Sequence, residues 1–400
     1  MNSPLDMLSS ATIPRENAPM SQIPETVFTN ARLVLPDSVI HGTITVRQGA
    51  IAEIAEGRSQ LPGAIDCQGD YLIPGVIDVH TDNLERQVQP RANARWPSRS
   101  AMLSHDAQVA AAGVTTVLDA LCLGDLGFDS ERIQTFHDGV ADLDALAGTG
   151  LLKVDHFLHF RCEMPAPGMW ELFEPVANHP LLRMVSLMDH SPGVGQYRDL
   201  DRYRTMRRRS GMTMEEIERR IESLLDQRSR VRAPQRRMLL EAMNGRGIPL
   251  AAHDDWNEEE ITENAADGIR ISEFPVSMEA AKAAHAHGMA VIAGAPNLVR
   301  GGSHSGNVAA AELIEAGVVD VFASDYVPPA LIEAAWRAHH QLGVPLAKAI
   351  GMITSGPAHM LHLDDRGEIK TGLRADLVRI TPFEGTPVVR EVYLAGARVA

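Results

Sequence analysis

Residues Pro74 to Asn83 read Pro-Gly-Val-Ile-Asp-Val-His-Thr-Asp-Asn, an apolar run that stops abruptly at side chains able to do chemistry. In a strand alternate side chains share a face, so Asp78, His80 and Asp82 are expected to point the same way, the last two at the carboxyl end. Seven further apolar runs follow: Val114 to Ala120, Leu152 to Glu163, Met184 to His190, Pro249 to Asp255, Ile271 to Pro275, Ala290 to Ala295 and Val318 to Asp325. Each is bounded by a helix-like segment, and several end in His, Asp or Glu. Eight such alternations predict a (β/α)8 TIM barrel, an α/β fold whose strands aim their carboxyl ends at one mouth. A doubly wound open sheet is the alternative, and the lack of an early GxGxxG argues against it.

The flanks differ from the middle. Residues 1–24 are rich in Ser, Pro, Asn and Met without periodicity, which predicts a disordered tail. Short β-prone stretches lie at Thr26 to Leu35, Gly42 to Arg47, Ala50 to Ala55 and Asp66 to Tyr71, and similar ones return at Ala375 to Ile380 and Val388 to Val399. These ends predict one small β-sandwich domain, residues 25–74 and 363–400, around a barrel at 75–362. Between Gln196 and Asn244 lies an insertion with a capping-box pattern at Thr213 to Glu216. Ile217, Ile221, Leu224 and Leu225 are expected on one packed helical face there.

Composition excludes several function classes. A net charge of −15 and 4% aromatic residues oppose binding to nucleic acid, which needs a basic face and stacking platforms. Three scattered cysteines without a CxxC pair oppose a disulfide scaffold or thiolate metal site. No apolar run approaches the ~20 residues that span a bilayer, and the N-terminus has no leader pattern. The expectation is a cytoplasmic, homo-oligomeric protein with no membrane or nucleic-acid partner.

Chemistry is expected where polar groups end the apolar runs. His80, Asp82, Glu163, His190, His253 and Asp325 form a set of imidazole nitrogens and carboxylate oxygens suited to one or two divalent ions, zinc, manganese or magnesium. Glu163 is expected to bridge two ions, with a salt bridge to Arg161 as the plainer reading. Asp325, ending the last run, is the candidate for accepting a proton from the attacking water, with helix capping as its plainer role. The stretch Asn297 to Asn307, containing Arg300, Ser303, His304 and Ser305, is a Gly-rich loop opening a helix near Val308, a pattern suited to phosphate. Arg86 and Arg91, with Arg95 and Arg99, are expected to form a basic mouth for a polyanion, and Arg161 joins them as a substrate contact.

These residues carry a resemblance. The β-rich start, Pro-Gly-x-Ile-Asp-x-His and Gly367-x-Ile-x-x-Gly-x-x-Ala-Asp-Leu-Val378 resemble the amidohydrolase superfamily across nearly the whole chain. His80-Thr-Asp-Asn-Leu-Glu, Trp96-Pro-x-x-Ser-Ala-Met with Ser104-His-Asp, Leu158-His-x-Arg-Cys-Glu163, Leu187-Met-Asp-His-Ser-Pro-Gly193 and Gly294-Ala-Pro-Asn are similar to its PhnM branch. The resemblance implies a metal-dependent diphosphatase acting on a phosphorylated small molecule, α-D-ribose 1-methylphosphonate 5-triphosphate, in phosphonate breakdown. His80-x-Asp82 stands where the superfamily commonly has His-x-His. The sixth run ends without histidine, leaving Glu273 as a weak substitute ligand. The rival readings are an amidohydrolase acting on a carbon centre, such as a cyclic amidase or deaminase, and a metal-free scaffold in a phosphonate-processing complex.

Overall fold

In the computed structural model, which describes residues 25–91, 94–127, 131–303 and 306–400, five strands precede the barrel: β1 (Thr26–Val34), β2 (Val39–Arg47), β3 (Ala50–Glu56), β4 (Ile65–Asp66) and β5 (Tyr71–Pro74). The tail expected over residues 1–24 lies outside the described residues. Three strands close the chain, β14 (Leu377–Phe383), β15 (Thr386–Leu394) and β16 (Ala397–Arg398). They join the first five in one sheet ordered β16-β15-β14-β5-β1-β2-β3, with β4 on β1, so both chain ends build a single unit. Phe28, Leu33, Ile44, Leu72, Leu377 and Tyr393 form its core. Gly75 is the hinge into the barrel. A Cβ there would collide with Thr115 and Asp376, so only glycine lets the sheet and the barrel approach.

The barrel strands are β6 (Val76–Thr81), β7 (Val114–Leu123), β8 (Asp155–Glu163), β9 (Leu182–Met188), β10 (Leu250–His253), β11 (Ile271–Glu273), β12 (Ala290–Gly294) and β13 (Val321–Ala323), paired in that order and all parallel. Covered on both faces, such strands read as continuous apolar runs, and β7 is buried from end to end. Inside the ring Ile77, Val79, Leu118, Met184, Ile271, Ile292 and Val321 pack into a layer with Ala358, Leu361 and Leu363 of the C-terminal region. Outside it Leu158, Phe160 and Cys162 pack among Phe136, Leu143 and Met169 of neighbouring helices. Strand β8 thus alternates: Leu158, Phe160 and Cys162 face the helices, while Phe157 packs against the inner layer and Arg161 and Glu163 line the cavity above it.

The seam between last and first strands is closed in two ways. At the carboxyl end Thr81 and Asp325 form a parallel bridge, in which Asp325 N donates to His80 O at 3.0 Å and Asp82 N to Asp325 O at 2.6 Å. Lower down, Ile77 N donates to Ile353 O at 2.9 Å and Phe322 N to Met352 O at 3.0 Å, so the segment after helix Leu346–Gly351 wedges between the two strands.

Strand β6 corrects the expectation that Asp78, His80 and Asp82 share a face. Asp78 pairs with Val117 but Thr81 with Asp119, three steps against two, which is a β-bulge that resets the alternation. Val79 and His80 consequently both reach the interior, Val79 in the apolar layer and His80 above it. Asp78 stays outside the cavity and accepts from Ser324 N at 3.1 Å.

The insertion forms helices Leu200–Arg209 and Met214–Met243, the second opened by the expected capping box, in which Thr213 and Glu216 bond each other's backbone. Ile217 and Ile221 pack on Tyr203, and Leu224 joins the outer barrel core. Leu225 departs from the expectation and is 40% exposed, one step off that stripe.

Candidate active site

The carboxyl ends of the barrel strands open on a cavity of about 420 Å3. Of the expected site residues, His80, Asp82, Arg161, Glu163, His190, His253, Arg300, Ser303, Asn307 and Asp325 all line it, together with Arg132 and Asp254. Arg86 and Arg91 do not, and His304 and Ser305 lie outside the described residues. Two groups of possible ion ligands face this space. In the first, His80 Nε2 lies 3.5 Å from Asp82 Oδ1, and Asp325 offers an oxygen within 4.8 Å of both. In the second, His190 Nε2 and His253 Nε2 lie 3.8 and 3.7 Å from Asp254 Oδ2. The His80 and His253 rings stack at 5.9 Å, which sets the groups side by side.

The residues behind these groups decide which ring nitrogens point into the cavity. Glu273, the last residue of β11 and fully buried, accepts from His80 Nδ1 and His253 Nδ1, each at 2.7 Å, and from Ser186 Oγ at 2.8 Å. Burial alone favours its neutral acid, but the charge of His80 and its other imidazole neighbours outweighs this and keeps it ionised. Glu163 holds His190 in the same way, with Oε2 on Nδ1 at 2.5 Å and Oε1 accepting from the His190 N–H at 2.9 Å. Both its oxygens thus meet the same residue, and Glu163 still lines the cavity. With Nδ1 carrying the proton, each of these three imidazoles turns an Nε2 lone pair toward the acids, the arrangement typical of metal-ligating histidines.

The donor set fits a divalent cation. Asp254 Oδ2 is buried with no hydrogen-bond partner, a costly state for a carboxylate oxygen, and two imidazole nitrogens flank it at distances a cation would occupy. At His80 burial opposes the imidazolium but the Glu273 charge outweighs it and raises the pKa to about 10. The acidic surroundings that stabilise a proton there also attract a metal ion, whose uptake would release that proton. Asp82 is held well below the usual carboxylate range: burial works against its charge, but Arg161 Nη1, 2.6 Å from Oδ1, overcomes it. Asp325 is raised instead, first by burial and then by the Asp82 charge beside it, which suits a group that takes up a proton.

Asp254 and Asp325 share a backbone signature. Their φ angles are +61° and +56°, in the left-handed region that non-glycine residues rarely adopt. The twist after β10 ends the alternation at His253, so Asp254 turns to the cavity. Asp255, the residue that strict alternation selects, turns instead to Ser272 and Asn264, with Oδ2 accepting at 2.7 Å and Oδ1 at 2.8 Å. Asp325 does not cap the following helix, Ala330–Leu342, whose N-cap is Pro329.

The basic wall is drawn from different arginines than the sequence led us to expect. Arg86 donates to Tyr326 O at 2.6 Å outside the cavity, and Arg91 is exposed in a short bridge with Ala94. Arg95 and Arg99 are tied to acids of the helix Glu131–Leu146, Arg95 to Glu131 at 2.8 Å and Arg99 to Asp142 at 3.0 Å. The guanidinium groups at the cavity are Arg132, Arg161 and Arg300. Arg132 opens the helix after β7 and is not singled out by the sequence, because it stands at the start of an ordinary amphipathic helix and outside any strand-end or Gly-rich motif. The stretch Asn297 to Asn307 does not begin as a loop: helix Ala295–Arg300 follows β12 directly and ends at Gly301 with φ +79°. Asn297 clasps the returning chain, donating to Val308 O at 3.1 Å and accepting from Ala310 N at 3.0 Å. Asn307 accepts from Arg198 Nη1 at 3.0 Å, linking this loop to the segment after β9.

A second histidine cluster lies outside the cavity. Asp119 pairs with His105 Nε2 at 2.7 Å and His156 Nδ1 at 2.8 Å, Asn83 Nδ2 meets His105 Nδ1 at 2.9 Å, and Asp106 Oδ1 lies 3.3 Å from His156 Nε2. Each ring nitrogen already has a protein partner.

The amidohydrolase family model matches residues 211–399. The chain is 39% identical to the α-D-ribose 1-methylphosphonate 5-triphosphate diphosphatase of Escherichia coli (strain K12) over 376 residues, 93% of this chain and 100% of that one. It is 29% identical to the D-hydantoinase of Rhizobium radiobacter over 150 residues, 37% of this chain and 29% of that one. Solved structures with a similar fold include N-acetylglucosamine-6-phosphate deacetylase from Pasteurella multocida, with a TM-score of 0.60 at 13% identity over 94% of this chain and 99% of that one. Another is N-isopropylammelide isopropylaminohydrolase from Burkholderia multivorans ATCC 17616, with a TM-score of 0.60 at 17% identity over 94% and 98%.

Proposed function

The chain belongs to the amidohydrolase superfamily, in the branch of its ribose-methylphosphonate triphosphate diphosphatases, and from that premise we propose how it works. It is a metal-dependent hydrolase that cuts α-D-ribose 1-methylphosphonate 5-triphosphate into the 5-monophosphate and diphosphate during phosphonate breakdown. The observation that carries this reading is one cavity in which imidazole and carboxylate groups with outward-facing lone pairs stand beside three arginines. Zinc, manganese or magnesium ions would be held by His80, Asp82 and Asp325 and by His190, His253 and Asp254. When bound, such ions acidify water and polarise phosphoryl oxygens.

The protein's own groups do the rest. Asp325, with its raised proton affinity, takes the proton from the attacking water. Arg132, Arg161 and Arg300 face the triphosphate and balance charge that builds on the departing diphosphate, while Ser303 and Asn307 line its path. Arg161 also holds Asp82 in its charged form. Glu163 and Glu273 keep the imidazoles in the tautomer that leaves Nε2 available. Residues 75–362 carry the chemistry, residues 25–74 and 363–400 brace them, and the enzyme acts as a cytoplasmic homo-oligomer.

Phosphorus NMR of the products, run in oxygen-labelled water with protein loaded in turn with each of the three metals, tests the reading. The expected products are diphosphate and the ribosyl monophosphate, with label on only one of them. Turnover of uncharged cyclic amides with no release of diphosphate would reverse it in favour of chemistry at carbon.

A further inference from the structure

Glu273 lies where two ion-binding groups meet without belonging to either. Its Oε1 is 2.7 Å from His80 Nδ1 and its Oε2 is 2.7 Å from His253 Nδ1, so one carboxylate fixes a ligand of each group. The two rings stack with an interplanar angle of 17°, as two donors to one planar acceptor would. An ionised carboxylate only accepts hydrogen bonds, so both rings must carry their proton on Nδ1 and present Nε2 to the cavity. No water competes, because Glu273 and His80 are at most 1% exposed. Ser186 Oγ also donates to Oε2 at 2.8 Å and is in turn 2.6 Å from His159 Nε2. Resting on the reading that His80 and His253 hold ions, we propose that Glu273 is a shared positioning residue that couples two ion sites, setting one ligand of each through a single side chain.

The test follows from the chemistry of a near-isosteric change. The amide of Glu273→Gln offers one acceptor and one donor in place of two acceptors. One imidazole keeps its Nδ1–H bond. The other meets an N–H and must move its own proton to Nε2, where an ion would otherwise sit. Manganese titration of the metal-free protein, with unbound ion counted by its paramagnetic resonance signal, is expected to give two ions per chain in the natural protein. In E273Q one ion should remain with its affinity nearly unchanged and the other should weaken about 10- to 100-fold, the range for losing such a partner. Ser186→Ala removes a bond to the same Glu273 oxygen at the same depth but touches neither imidazole, so it should keep both ions.

Two tight ions in E273Q would overturn the coupling while leaving the ion-binding reading intact, and so would loss of the same ion in S186A. One ion in the natural protein also overturns the coupling, and none overturns both claims. If E273Q does not fold, nitrogen NMR of histidine-labelled natural protein decides the matter. Nδ1–H on both His80 and His253 in the loaded protein supports the coupling, and a bare Nδ1 on either ring refutes it.

Discussion

The cavity and the buried cluster at helix Ser98–Ala111 each hold histidines beside carboxylates, yet they differ in how many of those groups the protein itself satisfies. Around His105, Asp119 and His156 each ring nitrogen is engaged by Asp119, Asn83 or Asp106, and the cluster is closed to solvent. Around His190 and His253 the hydrogen bonds are at Nδ1, His80 adds to its Nδ1 bond a longer 3.5 Å contact of Nε2 with Asp82, and among the described residues Asp254 Oδ2 has no hydrogen-bond partner. Residue type and burial do not separate the two places. The count of hydrogen-bonding positions that the protein leaves open does, and it separates an open set of donors from a closed network.

The largest expected effect tests the first region. Asp325→Asn should lower kcat for diphosphate release by about 10^2- to 10^4-fold, the range for losing a proton acceptor. Its melting temperature should stay close to that of the natural protein, and a variant that keeps full activity would remove Asp325 from the mechanism. Asp119→Asn tests the second region by leaving two buried imidazoles badly matched, at an expected cost of about 3–5 kcal/mol in urea unfolding. Its metal content should not change, and loss of an ion would erase the distinction drawn here.

The same substitution has a pH signature. Burial disfavours the His156 cation, but the Asp119 charge outweighs it and raises the pKa to about 9, above the ordinary value of about 6.5. The stabilisation, on the order of 3 kcal/mol, is therefore complete below about pH 6.5 and is lost as pH rises through about 9. Unfolding midpoints measured from pH 6 to 9.5 should fall in the natural protein and be flatter in D119N.

Smaller effects sharpen where the basic wall lies. Arg300→Gln should lower kcat/KM about tenfold with part of the loss in kcat, as expected when a charged contact strengthens while charge builds on the departing diphosphate. Arg86→Ala, outside the cavity, should change kcat/KM by no more than about twofold, the scale of an ordinary surface substitution. A larger loss for Arg86 than for Arg300 would return the substrate's path to the mouth first expected from the sequence.

Much of the fold was legible because buried parallel strands leave a plain mark. Each of the eight apolar runs overlaps its strand, with the ends of β6, β7 and β9 reaching beyond it, and His80, His190 and His253 lie within two residues of strand ends. What strict alternation could not convey were the places where the backbone breaks its own period. The bulge in β6 separated Asp78 from His80, and the left-handed turn after His253 exchanged Asp255 for Asp254. Both are single-residue backbone events with no compositional trace, although two consecutive acids after a strand-end histidine were a signal that either could face inward. Glu273 was noticed as a replacement for a missing histidine, but its bonds to two rings depend on strands distant in sequence. Arginine numbers misled for a similar reason: Arg95 and Arg99 are neutralised by acids more than thirty residues away.

The seam of the barrel has a consequence for how the protein matures. Main-chain bonds from Asp325 to the flanks of His80 and Asp82 span about 240 residues of sequence, so this half of the centre exists only once the ring has shut. A nascent chain still lacking β13 can offer stray ligands but no complete cage. An ion held by His80, Asp82 and Asp325 would therefore be taken up only once the seam has closed.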